Sequence, residues 1–202
     1  MPVFGSSQLT PSGGRVTLHR RAGVLAKMSG NLKLSKLHLS RALSIATLVD
    51  DVGAEMRAMH QLGLLALAGK NWNRAAMLFE TADRQCQTIG ANRLSHLVLA
   101  GVSRHIDGDE ELAQVHLSSA NSIVSGDKSE ATNVLTSVGN SLLAIDCPGL
   151  AIEILDEAME CAIESGQNDK LEMLSEVLLL ANTALTDKEE SQYDGLRQLL
   201  DS

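Results

Sequence analysis

The sequence predicts an all-α fold, a solenoid of antiparallel helix pairs with about four full repeats and a degenerate capping repeat. The first observation is a frame that returns four times. Gly23, Ser35, Leu39 and Ala42 recur as Gly63, Ala75, Phe79 and Ala82, as Gly101, Ala113, Leu117 and Ala120, and as Gly139, Ala151, Leu155 and Ala158. The spacings are twelve, four and three residues each time, and the sets stand 40, 38 and 38 residues apart. Self-similarity at such a period marks units that bury their cores only against their neighbours. The second observation is that the breaks recur in step with the frame. The third is the lack of alternating Val, Ile and Thr runs bounded by tight turns, so no strand is expected.

Residues 1–14 hold Gly5, Ser6, Ser7, Pro11, Ser12, Gly13 and Gly14 and read as a flexible leader. A helical repeat domain over 15–202 follows, with units at about 15–50, 51–90, 91–127, 128–167 and 168–202. Within the first four units the two helices are parted by Ser29-Gly30-Asn31, Gly69-Lys70-Asn71, Asp107-Gly108-Asp109 and Asp146-Cys147-Pro148-Gly149. Gly and Asn tolerate the left-handed geometry that ends a helix, and Pro cannot extend one. In the second unit Met56, Met59, Leu62, Leu65 and Ala66 share one side of a helix over Gly53–Ala68. Asp127 with Glu130, Asp169 with Glu172 and Asp187 with Glu190 have the spacing of a helix-starting acid and a Glu three residues on. The fifth unit, Leu171–Ala184 and Glu189–Leu200, departs from the frame, with Val177, Glu189, Tyr193 and Leu196 in its four places. A polar end cap is the expected result. Packing explains the frame: Gly23, Gly63, Gly101 and Gly139 on first helices, with Ala42, Ala82, Ala120 and Ala158 on second helices, let the two approach while Leu or Phe fills the gap.

Composition narrows the function. The chain is 44% apolar and 21% charged, enough to build a core, but only 2% aromatic. Stacking of single-stranded bases on aromatic platforms is poorly supported, and no nucleic-acid partner is expected. No apolar run reaches the ~18 residues of a membrane span, and Met1 to Gly14 lacks the apolar stretch of a secretory signal. Cys86, Cys147 and Cys161 form no C-x-x-C and suit a reducing compartment. The expected address is cytoplasmic, with the nucleus second. Organelle import, suggested by an acid-free, Arg- and Ser-containing beginning, is less favoured because cleavage would destroy the first unit.

Charge is unevenly spread within a net −8. Residues 1–49 carry Arg15, Arg20, Arg21, Lys27, Lys33, Lys36 and Arg41 and no acid, whereas residues 150–202 carry thirteen acids against Lys170, Lys188 and Arg197. On a solenoid, sequence ends become physical ends. The bland reading is solvated helix faces; the sharper one is an acidic partner or head-to-tail self-association. Catalytic patterns are missing. The six histidines show no H-E-x-x-H or zinc spacing, and there is no P-loop, no G-x-G-x-x-G after a strand and no G-x-S-x-G. Asp107-Gly108-Asp109-Glu110-Glu111 lacks the order of a calcium loop and reads as a turn. No enzyme, metal or cofactor is expected.

Leu62-Gly63, Ala66, Ala75-x-x-x-Phe79 and Ala82 resemble the tetratricopeptide repeat, in an extended form with lengthened helices. Met59, Ala66 and Gln87 stand where that family often has Trp, Tyr and Pro. The resemblance covers residues 15 to 165 and implies a right-handed α-solenoid whose first helices line a concave groove. Its ligand-facing offsets fall on Arg20, Val24 and Lys27, on Arg57, His60, Leu64 and Leu67, on Ser95, Val98, Val102 and His105, and on Asn133 and Asn140. Such a groove, basic, then apolar, then rich in amides, suits an extended peptide or amphipathic helix of another protein. The carboxylate clamp of chaperone-binding members is not matched, since Arg20, Val24, Gln61, Ser95 and Leu99 stand at its places. The implied function is an interaction scaffold or adaptor. The alternative is a structural subunit that contacts a larger complex through its ends or convex face.

Overall fold

The computed structural model describes residues 11–185, and these form nine helices without a strand. They are α1 (Pro11–Met28), α2 (Leu32–Leu48), α3 (Val52–Ala68), α4 (Trp72–Ile89), α5 (Leu94–Asp107), α6 (Glu110–Gly126), α7 (Lys128–Leu143), α8 (Pro148–Glu164) and α9 (Asn168–Ala184). Consecutive helices pack against each other, and α1 also touches α3, α5 touches α7, and α7 touches α9. The chain is therefore an α-solenoid. The second helix of the fifth unit lies outside the described residues, as do residues 1–10.

The turn inside each unit has one design. The chain passes through positive φ at Gly30 (76°), Lys70 (53°), Gly108 (88°) and Asp146 (60°). In the first three units the next residue starts the following helix: Asn31, Asn71 and Asp109 accept hydrogen bonds from the backbone N–H of Leu34, Arg74 and Leu112. Those bonds satisfy donors that the first helical turn leaves unpaired. Asp51 and Asp127 do the same for α3 and α7 at 2.8 and 2.9 Å. Asp169 does not start a helix, because α9 begins one residue before it and Gln167 holds the cap position. Pro148 and Gly149 open α8 rather than standing in the break, since proline needs no intrahelical N–H bond in a first turn. For the same reason α1 begins at Pro11, so residues 11–14 of the expected leader belong to the helix, and the rest of it lies outside the described residues.

The crossings follow the frame. A Cβ built on Gly23, Gly63, Gly101 or Gly139 would lie 2.5–2.6 Å from Leu39, Phe79, Leu117 or Leu155 respectively. Each glycine is thus the floor on which the large side chain sixteen residues later rests. Ala42, Ala82, Ala120 and Ala158 are fully buried beside these contacts. Two separate clusters form the core. One is small-residued: Val16, Ala42, Ala46, Ala54 and Ala58 join α1, α2 and α3. The other runs from Leu64 in α3 to Ala181 in α9 and holds nearly all the large buried side chains.

Candidate functional site

The centre of the array is α5. From Leu94 to Ser103 every residue except Ser95 is buried, on all sides of the helix. A helix apolar all round must be enclosed, and ion pairs hold this one in place. Arg93 grips the buried Asp83 through two bonds of 2.7 and 2.8 Å, and Gln87 donates to the same carboxylate. Arg104 grips Glu80 at 2.6 and 3.0 Å, with His116 3.4 Å away. Burial pushes the Glu80 carboxyl up, but the hydrogen bonds and charge of Arg104, with His116, outweigh it and hold the carboxyl below its usual range.

This enclosure corrects part of the expected groove. Leu64, Leu67, Val98 and Val102 are at most 2% exposed and offer a partner no surface. They are core because α3 and α5 have neighbours on both sides, so the stripe expected to face a ligand packs against the next helix instead. The other expected positions are accessible to different degrees. Arg57, Asn133 and Asn140 are exposed, whereas Arg20, Val24, Lys27, His60 and His105 are half-buried. Several are already engaged. Lys27 Nζ donates to Gln61 Oε1 at 3.4 Å, and burial lowers its pKa. His105 Nδ1 lies 2.9 Å from Glu110 Oε2, and Lys170 donates to Asn133 Oδ1.

Three of the expected residues do meet. His60 from α3, Ser95 from α5 and Asn133 from α7 border a hollow of about 310 Å³, together with Val134, Ser137, Val138 and Ser141. Three first helices, α3, α5 and α7, therefore share one concavity. α6 touches α7 least of all consecutive pairs, the two being joined by Asp127 alone, and α7 also packs on α5. The hollow's wall combines hydroxyls and an amide with two valines, none of them charged while His60 is neutral, with the Lys170 ammonium bonded to the amide of Asn133. Neutrality is secured by the surroundings: burial first, then the nearby His96 and Lys27, push the His60 pKa down to about 3. The ring also stands edge-on to Phe79 and to His96, with centroids 5.7 and 5.1 Å apart. Behind it, His96 Nδ1 lies 3.4 Å from Cys86 Sγ, which donates to Met56 Sδ. Burial pushes the Cys86 thiol up, so it stays protonated.

The hollow suits binding. Among the described residues no group of three or more His, Cys, Asp or Glu could hold a metal ion. Val134, Ser137, Val138 and Ser141 were not among the sequence-expected contacts. Ser137 and Ser141 stand four apart, two residues to either side of Gly139, and that polar pair on a helix otherwise rich in buried apolar residues was the available signal. No model of a known protein family matches the chain, and no curated protein matches it.

Proposed function

We propose that this chain is a non-enzymatic interaction scaffold of the tetratricopeptide type, holding an extended segment of another protein against its first helices. The observation that carries this reading is the hollow shared by α3, α5 and α7. An uncharged wall of hydroxyl and amide groups can pair with peptide N–H and C=O groups, and Val134 and Val138 can receive a small apolar side chain. Such a site leaves an exposed charge on the segment in water, so the ligand is a neutral stretch. All three cysteines are buried thiols, which fits a reducing compartment such as the cytosol. No helix among the described residues is long and apolar enough to cross a membrane.

The test is to fill the hollow. Ser137→Trp adds bulk at an exposed position, so the helical circular dichroism should not change. Affinity capture from native lysate, wild type beside variant, should then show a protein held by the first and lost from the second. Identical captures on both would remove the hollow from the function. A second reading, a subunit that contacts a larger assembly through its ends, is favoured by one observation. The first helix pair and its following turn expose eight large apolar residues, Leu18, Leu25, Met28, Leu32, Leu34, Leu37, Leu48 and Val49.

A further inference from the structure

Where the second unit meets the third, two sulfurs and an imidazole come together. Cys86 Sγ of α4 lies 3.0 Å from Met56 Sδ of α3 and 3.4 Å from His96 Nδ1 of α5. Cys86 and His96 are 0% and 5% exposed, and Met56 is half-buried. The repeat frame supplies a comparison. Counted from the frame glycines, Met56, Cys86 and His96 match Val16, Ala46 and Ala58 at the junction before, and Leu94, Val124 and Val134 at the junction after. Val16, Ala46 and Ala58 share one buried cluster, and Leu94 and Val124 are buried as well. Aliphatic side chains therefore fill this place at both adjacent junctions. Packing does not call for an imidazole there, least of all one whose Nε2 is buried without a hydrogen-bond partner, since an unpaired buried nitrogen destabilises the fold.

We propose that Met56, Cys86 and His96 form a binding site for one monovalent copper ion. Thiolate and thioether are the ligands that soft Cu(I) selects, and imidazole completes such a set. Zinc does not fit. Its structural sites take four ligands and do not draw on thioethers, and among the described residues no third His, Cys, Asp or Glu joins Cys86 and His96. Binding exchanges a proton for the ion: the Cys86 S–H bond breaks, a Cu–S bond forms, the proton leaves to water and copper stays monovalent. The thiolate charge cancels that of the ion, so the filled site brings no net charge into the core. Asp83, the nearby carboxylate, is already taken by Arg93. Metal bonds of about 2.0–2.3 Å require the three donors to part by up to about 1 Å. Met56 gives that room, as the unbranched and half-buried member of the set. The donors stand on three helices, so the ion ties the second unit to the third. The inference is independent of what the hollow between α3, α5 and α7 holds.

Anaerobic titration of the full chain with Cu(I), against a coloured Cu(I) chelator as competitor, tests it. One ion per chain should be drawn from the chelator, with a thiolate-to-copper band in the ultraviolet. The variants Cys86→Ala, His96→Ala and Met56→Leu each take the residue of a matching junction, so their circular dichroism should not change. Cys86→Ala should abolish both binding and band, and the other two should weaken binding at least about tenfold. Cys147→Ala and Cys161→Ala should bind as the wild type does. Cu(I) should also raise the thermal midpoint of the wild type but not of Cys86→Ala. If a variant unfolds, X-ray absorption on the copper-loaded wild type decides, with two sulfurs and one nitrogen expected at the ion. No ion drawn from the chelator, equal binding by a folded Cys86→Ala, or fewer than two sulfurs at the ion overturns the inference. Zn(II) held at these three residues as tightly as Cu(I) overturns it too.

Discussion

The first unit and the second carry the same frame but solve burial differently. In the second, Phe79 rests on Gly63, Leu64 and Leu67 are enclosed, and Asp83 and Glu80 of α4 are clamped by Arg93 and by Arg104 of α5. In the first, Leu39 rests on Gly23, yet the shared cluster with α3 is Val16 and four alanines. The hydrogen bond from Lys27 to Gln61 is the polar tie from that unit to α3. The difference teaches that a repeat's stability is set by its neighbours, since a unit flanked on both sides buries large residues and a terminal one leaves them in water.

Swapping matched positions should break that comparison most sharply. Ala58→Leu puts a large side chain where the preceding α2 already fills the space and should cost ~1–3 kcal/mol. Leu18→Ala, the reverse change at the matched place in α1, should stay within about 0.5 kcal/mol, as for other exposed positions. Urea midpoints measured at a concentration low enough for single copies would show both. Equal costs would mean that the two faces are equally covered.

The pH dependence comes next. His60 is held at about 3 in the folded chain against an ordinary 6.5. Between those values the unfolded chain binds a proton that the folded chain refuses, so stability is full above about 6.5 and falls as pH drops toward about 3. His60→Gln should flatten most of that fall. His19 in the first unit is lowered by burial, then by His38 and Arg41, but is not held as low, so His19→Gln should flatten less of it. Stability curves of the three proteins from neutral pH downward test the order, and an unchanged slope in His60→Gln would refute it.

One further expected effect is a gain. Ser35 is fully buried and its hydroxyl has no partner, where the later units hold Ala75, Ala113 and Ala151. Ser35→Ala removes an unpaired buried group and should stabilise the chain by ~1 kcal/mol. A loss on thermal or urea unfolding would mean that the hydroxyl is bonded after all.

The candidate site was less legible than the fold. His60, Ser95 and Asn133 were reachable from the offsets of the repeat, but Leu64, Leu67, Val98 and Val102 were read as groove. Apolar residues at helical spacing identify a buried stripe without saying whether a ligand or the next helix buries it. Val134, Ser137, Val138 and Ser141 escaped because they stand between the expected offsets on α7, beside Asn133.

What the sequence determined by itself is local. Helix lengths, the caps at Asn31, Asp51, Asn71, Asp109 and Asp127, and the rest of Leu39, Phe79, Leu117 and Leu155 on their glycines all depend on residues within about one unit of each other. Those interactions recur whenever the frame recurs. Tertiary structure alone decided which stripe became core, that α5 would be closed on every side, and that α1 would keep Leu18 and Leu25 exposed. Burial in a solenoid depends on the presence and tilt of neighbouring units, and one unit's spacing carries neither.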